Sequence, residues 1–188
     1  DLNSLKEVAG YLLYTDVHKV ENYPFLVKHP FTDSAFAAIA KNPDKVTENE
    51  VINILESESN LNRWREYVAE RIDSAESADE IYSRITKPYR LTFMKYTGQY
   101  LSEKDFAEML CSAWITSENP NSDVNVSQSE LLRMFRSADK FLLMTAEERK
   151  WLNELDNPVT VYRGVTPYNA KSVKAMSWTL DYEKALWF

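Results

Sequence analysis

Apolar residues recur three and four positions apart along most of this chain, and each run opens on a residue able to cap a helix. Leu5, Val8, Ala9, Leu12, Leu13, Val17 and Val20 keep that spacing behind Ser4 and Glu7, which stand as a capping box. The spacing predicts a first helix ending near Asn22-Tyr23-Pro24. Phe25, Leu26 and Phe31, between Pro24 and Pro30, read as a loop packed onto the core. A short helix is expected from Thr32 or Asp33 through Phe36, Ile39 and Ala40, stopped by Asn42-Pro43. A second box, Thr47 with Glu50, precedes Val51, Ile54 and Leu55. Asn60 precedes Leu61, Trp64, Val68 and Ile72, and Ser77 with Glu80 precedes Ile81 and Ile85. Pro88 suits the first turn of a helix carrying Leu91 and Met94. Ser102, with Asp105 three residues on, opens a run through Phe106, Leu110, Ala113 and Trp114. After the polar loop 118–127 (ENPNSDVNVS), Ser127 with Glu130 and Thr145 with Glu148 open the last two helical runs. No fixed period relates the runs, which excludes a solenoid.

The pattern changes at Asn157-Pro158. Val159, Val161 and Val165 alternate with Thr160, Tyr162 and Gly164, which predicts a strand carrying Arg163. Met176-Ser177-Trp178-Thr179 leads into a helix that Asp181 caps, with Ala185, Leu186 and Phe188 at its apolar positions. The expected fold class is mainly α, with a helical domain over 1–157 and a short strand-and-helix segment over 158–188.

The 44% hydrophobic content of the 188 residues is enough for a core. Lys and Arg number 22 against 29 Asp and Glu, a net charge of -7, which argues against broad binding to nucleic acid or anionic membranes. Cys111 is the single cysteine, so no disulfide forms within the chain and a reducing, cytoplasmic setting is expected. His18 and His29 have no partner at zinc-binding spacing, so no metal is expected; His29, before Pro30, reads as a loop residue. The three glycines, Gly10, Gly98 and Gly164, are dispersed, which excludes the clustered-glycine phosphate loops. Any nucleotide has to be held by side chains.

Arg163 is the first candidate for that task. Its guanidinium fork matches phosphate oxygens, and Gly164 beside it leaves room for a ligand to approach the backbone. Ser177 and Thr179 add hydroxyls. The plainer alternative for Arg163 is a surface ion pair, and for Trp178 and Tyr168 a place in the core rather than a stacking role. Glu56, Glu58, Glu147 and Glu148 read as solvated helix ends, and the tyrosines of the helical domain as the rim of its core; an exposed aromatic cluster there would mark a protein interface.

Taken in order, Val161-Tyr162-Arg163-Gly164, Ser177-Trp178-Thr179 and Asp181 through Ala185-Leu186-Trp187-Phe188 resemble the opening of a mono-ADP-ribosyltransferase domain of the arginine-strand, Ser-x-Thr type. The likeness covers about the last sixth of the chain. It implies the start of an α+β fold, NAD as co-substrate, Arg163 and Gly164 on the NAD, and Ser177 and Thr179 shaping the nicotinamide pocket. It also implies transfer of ADP-ribose to a macromolecular target by a bacterial or phage effector. The family's catalytic glutamate lies on a later strand in a Glu- or Gln-x-Glu motif, and no such motif follows Thr179 before Phe188. Glu183 belongs to the helix after Ser-x-Thr, so the catalytic residue stays unassigned. The final helix has its apolar face newly started at Trp187-Phe188, and the segment therefore reads as the truncated start of that fold, inactive by itself. The rival expectation is a binding protein: an acidic helical module that inhibits a basic protein partner, such as a phage anti-host or anti-defence protein, with 158–188 serving as packing.

Overall fold

The computed structural model describes residues 1–40, 49–118, 120, 123–173 and 175–187. The chain divides into two compact units, 1–117 and 118–188. The architecture is helix-rich but mixed α and β, with 53% helix and 14% strand among the described residues, so the first 157 residues are not wholly helical.

Unit 1 begins with α1 (Leu2–Leu13). Its cap is Asp1, whose carboxylate accepts from the Asn3 and Ser4 amides, rather than the expected Ser4. The helix stops at Leu13, short of Val17 and Val20, because the chain turns into an antiparallel meander of β1 (His18–Val20), β2 (Tyr23–His29) and β3 (Thr32–Ser34). Asn22 takes a left-handed φ of 64° in the turn between β1 and β2, a conformation that asparagine tolerates. Pro24 sits in β2 where the register with β1 is irregular, so its missing N–H interrupts no regular ladder.

The expected helix through Phe36, Ile39 and Ala40 is instead strand β4 (Phe36–Ala40), and Val51 lies on strand β5 (Asn49–Asn53). These pair antiparallel from Phe36 with Asn53 to Ala40 with Asn49. Ile39 and Ile52 are buried, while Phe36, Ala38 and Val51 look outward. That two-residue alternation, completed by a partner strand, overrode the helical preference of the alanines. The expected cap at Thr47 lies outside the described residues.

Ser57, not Asn60, caps α2 (Glu58–Asp73) by accepting from the Asn60 amide. Asn60 instead ties the first turn to β5, donating from Nδ2 to the Asn53 carbonyl at 3.1 Å. Ser77 caps α3 (Ala78–Tyr82), Pro88 lies in the 3-10 turn that leads into α4 (Arg90–Thr97), and Ser102 caps α5 (Glu103–Thr116). Leu5, Ala9 and Leu13 run along the buried face of α1, which packs on α2, α3 and α4. Trp64, Ile72, Ile81, Leu91, Phe93 and Leu110 complete this core. Each such side chain contributes roughly 1.5–3 kcal/mol by leaving water.

Unit 2 contains α6 (Gln128–Ser137), α7 (Lys140–Leu143), α8 (Ala146–Asn153) and α9 (Tyr182–Trp187). The boxes at Ser127 with Glu130 and at Thr145 with Glu148 both form reciprocally. The expected strand over 159–165 is reduced to one antiparallel bridge, Tyr162 with Thr179. Val159, Val161 and Val165 all remain exposed, so the alternation has no buried face to define a longer ladder here. No helix of the described residues is long and apolar enough to cross a membrane.

Candidate functional site

The site is built around that bridge. The Tyr162 amide donates to the Thr179 carbonyl at 2.7 Å, and the Thr179 amide donates back at 2.9 Å. This pairing sets the Arg163-Gly164 backbone beside Ser177-Trp178-Thr179. Arg163 adds a third link, with Nη1 donating to the Ser177 carbonyl at 2.6 Å. Its Nε is buried and has no hydrogen-bond partner among the described residues. A buried guanidinium nitrogen without an acceptor is costly, but the Nε atoms of Arg65 and Arg84 share that condition, so the atom by itself does not mark a ligand site.

Each flank is fixed locally. The Thr166 amide donates to Asn169 Oδ1 at 2.7 Å, and Asn169 Nδ2 donates to the Gly164 carbonyl at 3.3 Å, which closes the loop after Gly164. On the other side, Thr179 Oγ1 accepts from the Asp181 amide at 3.1 Å, and Asp181 Oδ1 accepts from the Lys184 amide at 3.1 Å. The aspartate therefore caps α9 as the sequence predicts. Tyr162 and Tyr182 meet edge to face with ring centroids 5.2 Å apart, fastening α9 to the bridge.

The sequence-predicted quartet, Arg163, Gly164, Ser177 and Thr179, lines one cavity of about 380 Å³. That volume falls within the range of small-molecule sites. Trp178, Lys184, Asn169 and Glu118 line it too; the sequence offered stacking only as the lesser alternative for Trp178 and pointed to none of the other three. Glu118 comes from the polar loop ahead of α6, a distance in sequence that no local motif spans. The core places expected for Trp178 and Tyr168 are not found: Trp178 is 51% exposed and Tyr168 is 99% exposed.

The inventory can recognise a polar, anionic ligand. Arg163 and Lys184 bring positive charge, Thr179 and Ser177 bring hydroxyls, and Glu118 brings acceptors suited to sugar hydroxyls. Among the described residues no group of three or more His, Cys, Asp or Glu side chains is placed to hold a metal ion. The expected loop residue His29 is instead buried at the end of β2, 1% exposed, with Trp64 edge-on at 5.1 Å. No family model, curated protein or solved structure matches this chain.

Proposed function

We propose that residues 158–188 are the NAD-binding part of an ADP-ribosyltransferase-type domain. The observation that carries this reading is the convergence of Arg163, Gly164, Ser177 and Thr179 on one cavity. The Tyr162–Thr179 bridge brings the two segments together, and the cavity beside it opens their side chains to a common ligand. In this reading Arg163 holds a phosphate, the hydroxyls of Ser177 and Thr179 orient the nicotinamide end, and Glu118 accepts from ribose hydroxyls. NAD supplies an ADP-ribosyl group on a good leaving group. Transfer also requires a carboxylate that stabilises the positive charge developing at the ribose; among the described residues the one carboxylate lining the cavity is Glu118, which this reading gives to the ribose hydroxyls. The proposed activity of the 188-residue chain is therefore NAD binding without ADP-ribose transfer, in a reducing cytoplasmic setting and as part of a bacterial or phage effector. Calorimetric titration of NAD into the chain tests the reading: saturable one-to-one binding supports it, and absence of binding at millimolar NAD would overturn it.

A second reading draws on unit 1. Phe25 and Phe36 stack with centroids 5.5 Å apart yet are 61% and 43% exposed, and Val51 shares the outward face of β4 and β5. An apolar patch of this kind is the usual mark of a protein contact. It favours a protein partner or target docking on unit 1, whether or not NAD is used. Pull-down of a partner that Phe36→Asp no longer retains would support this reading.

A further inference from the structure

We propose that Trp178 and Lys184 complete the ligand site: the indole is the platform for a planar heteroaromatic ring, and the ammonium is a second cation on the phosphate that Arg163 holds. This rests on the dinucleotide reading above; it gives Trp178 the stacking role that the sequence left second to a core place, and assigns Lys184, which the family resemblance does not single out.

The indole is half exposed on a cavity, yet it is not loose. Its Nε1–H donates to the Ala175 carbonyl at 2.7 Å, which fixes the orientation of the ring. A large aromatic face left in water forgoes the gain of burial, while a fixed ring loses little further freedom when a base lies on it. Neighbouring residues give the ring its place: Ser177 and Thr179 flank it, and the Thr179 backbone is held by the bridge to Tyr162.

Lys184 enters from α9. Its backbone is pinned because Asp181 Oδ1 accepts from the Lys184 amide, and its side chain lines the same cavity as Arg163. Two cations against one lining carboxylate, Glu118, leave a local positive excess in a chain whose net charge is -7. That local reversal of sign is what a phosphate would seek. The ring could be either base of the dinucleotide; both present a π face with a phosphate one sugar away.

Tryptophan fluorescence and calorimetry test the assignment together. The chain has five tryptophans, so the signal of Trp178 is isolated by difference. Titration with NAD is expected to quench wild-type emission. Trp178→Phe keeps a ring and is expected to retain most of the affinity while losing that quench. Trp178→Ala is expected to bind about ten- to a hundredfold more weakly. Lys184→Gln is expected to bind about fivefold more weakly at low salt, with the gap closing as salt rises. Titration with nicotinamide mononucleotide and, separately, adenosine monophosphate identifies the ring by which one reproduces the quench. If Trp178→Phe is quenched as strongly as wild type, or if Trp178→Ala and Lys184→Gln bind NAD normally while Arg163→Ala does not, this inference fails and the dinucleotide reading stands. If wild type binds no NAD at all, both fail.

Discussion

Arg163 donates from Nη1 to the backbone carbonyl of Ser177 at 2.6 Å. The bond joins the two segments that the Tyr162–Thr179 bridge also pairs. Beside the function proposed for it toward a ligand, Arg163 therefore has a second one, toward the fold of its own site. Removing it should loosen the bridge as well as the ligand. In Arg163→Ala, the Tyr162 and Thr179 amides are expected to exchange with solvent faster than in wild type, while amides of α6 stay unchanged. Hydrogen exchange resolved by residue checks this; equal protection at both amides would contradict the second function.

His29 predicts a pH dependence for unit 1. Its Nδ1 accepts from the Phe31 amide at 3.1 Å, so the neutral ring carries its proton on Nε2, which is buried near the Leu13 and Thr15 carbonyls but makes no hydrogen bond of good geometry among the described residues. Burial lowers its pKa from 6.5 to about 4; the charges of Arg65 and His18 add to this, and the Leu13 and Thr15 carbonyls oppose it without cancelling it. Because the folded pKa lies below the unfolded one, the unfolded chain binds the extra proton between them. Stability is then full above about pH 6.5 and falls as pH drops toward 4, by up to about 3 kcal/mol. Urea midpoints measured from pH 7 to pH 4 are expected to decline, and His29→Leu to flatten the part of the slope due to this group. An unchanged slope in the variant would show that other groups carry it.

Two glycines in unit 1 should respond in opposite directions. Gly10 lies inside α1, and a Cβ there would meet nothing within 4 Å. Gly10→Ala is expected to stabilise by about 0.5–1 kcal/mol, since alanine loses less backbone freedom in a helix. A Cβ on Gly98 would come within 2.7 Å of the Phe106 ring. Gly98→Ala is expected to destabilise by about 1–3 kcal/mol unless that ring shifts. Thermal denaturation of the two variants checks the contrast.

Four helix starts were legible because capping is local, whereas α1 and α2 are capped by Asp1 and Ser57 rather than the expected Ser4 and Asn60. Ser77, Ser102, Ser127 and Thr145 all accept from an amide three residues on, where spacing alone placed them. The sheets were not, because their evidence lies in a distant partner. Phe36, Ile39 and Ala40 satisfy a helical period as well as they satisfy β4, and only pairing with β5 decides between them. Asn22 between Val20 and Tyr23 was the one local clue to the first hairpin, and Pro24 obscured it. The candidate site divides in the same way. Arg163, Gly164, Ser177 and Thr179 form a linear pattern. Glu118, Asn169 and Lys184 join them only through folding, so no spacing rule could point to them.

The central claim is that Arg163 anchors NAD in this cavity, and calorimetry on matched variants tests it most directly. Arg163→Ala removes at least one charge-assisted hydrogen bond, a loss of about 1.5–3 kcal/mol, and should weaken NAD binding roughly ten- to a hundredfold. Arg163→Lys should recover part of that loss, because an ammonium keeps the charge without the fork. Arg133→Ala, on the exposed face of α6, is the control and should bind as wild type does. Wild-type binding together with equal affinity in Arg163→Ala would contradict the account.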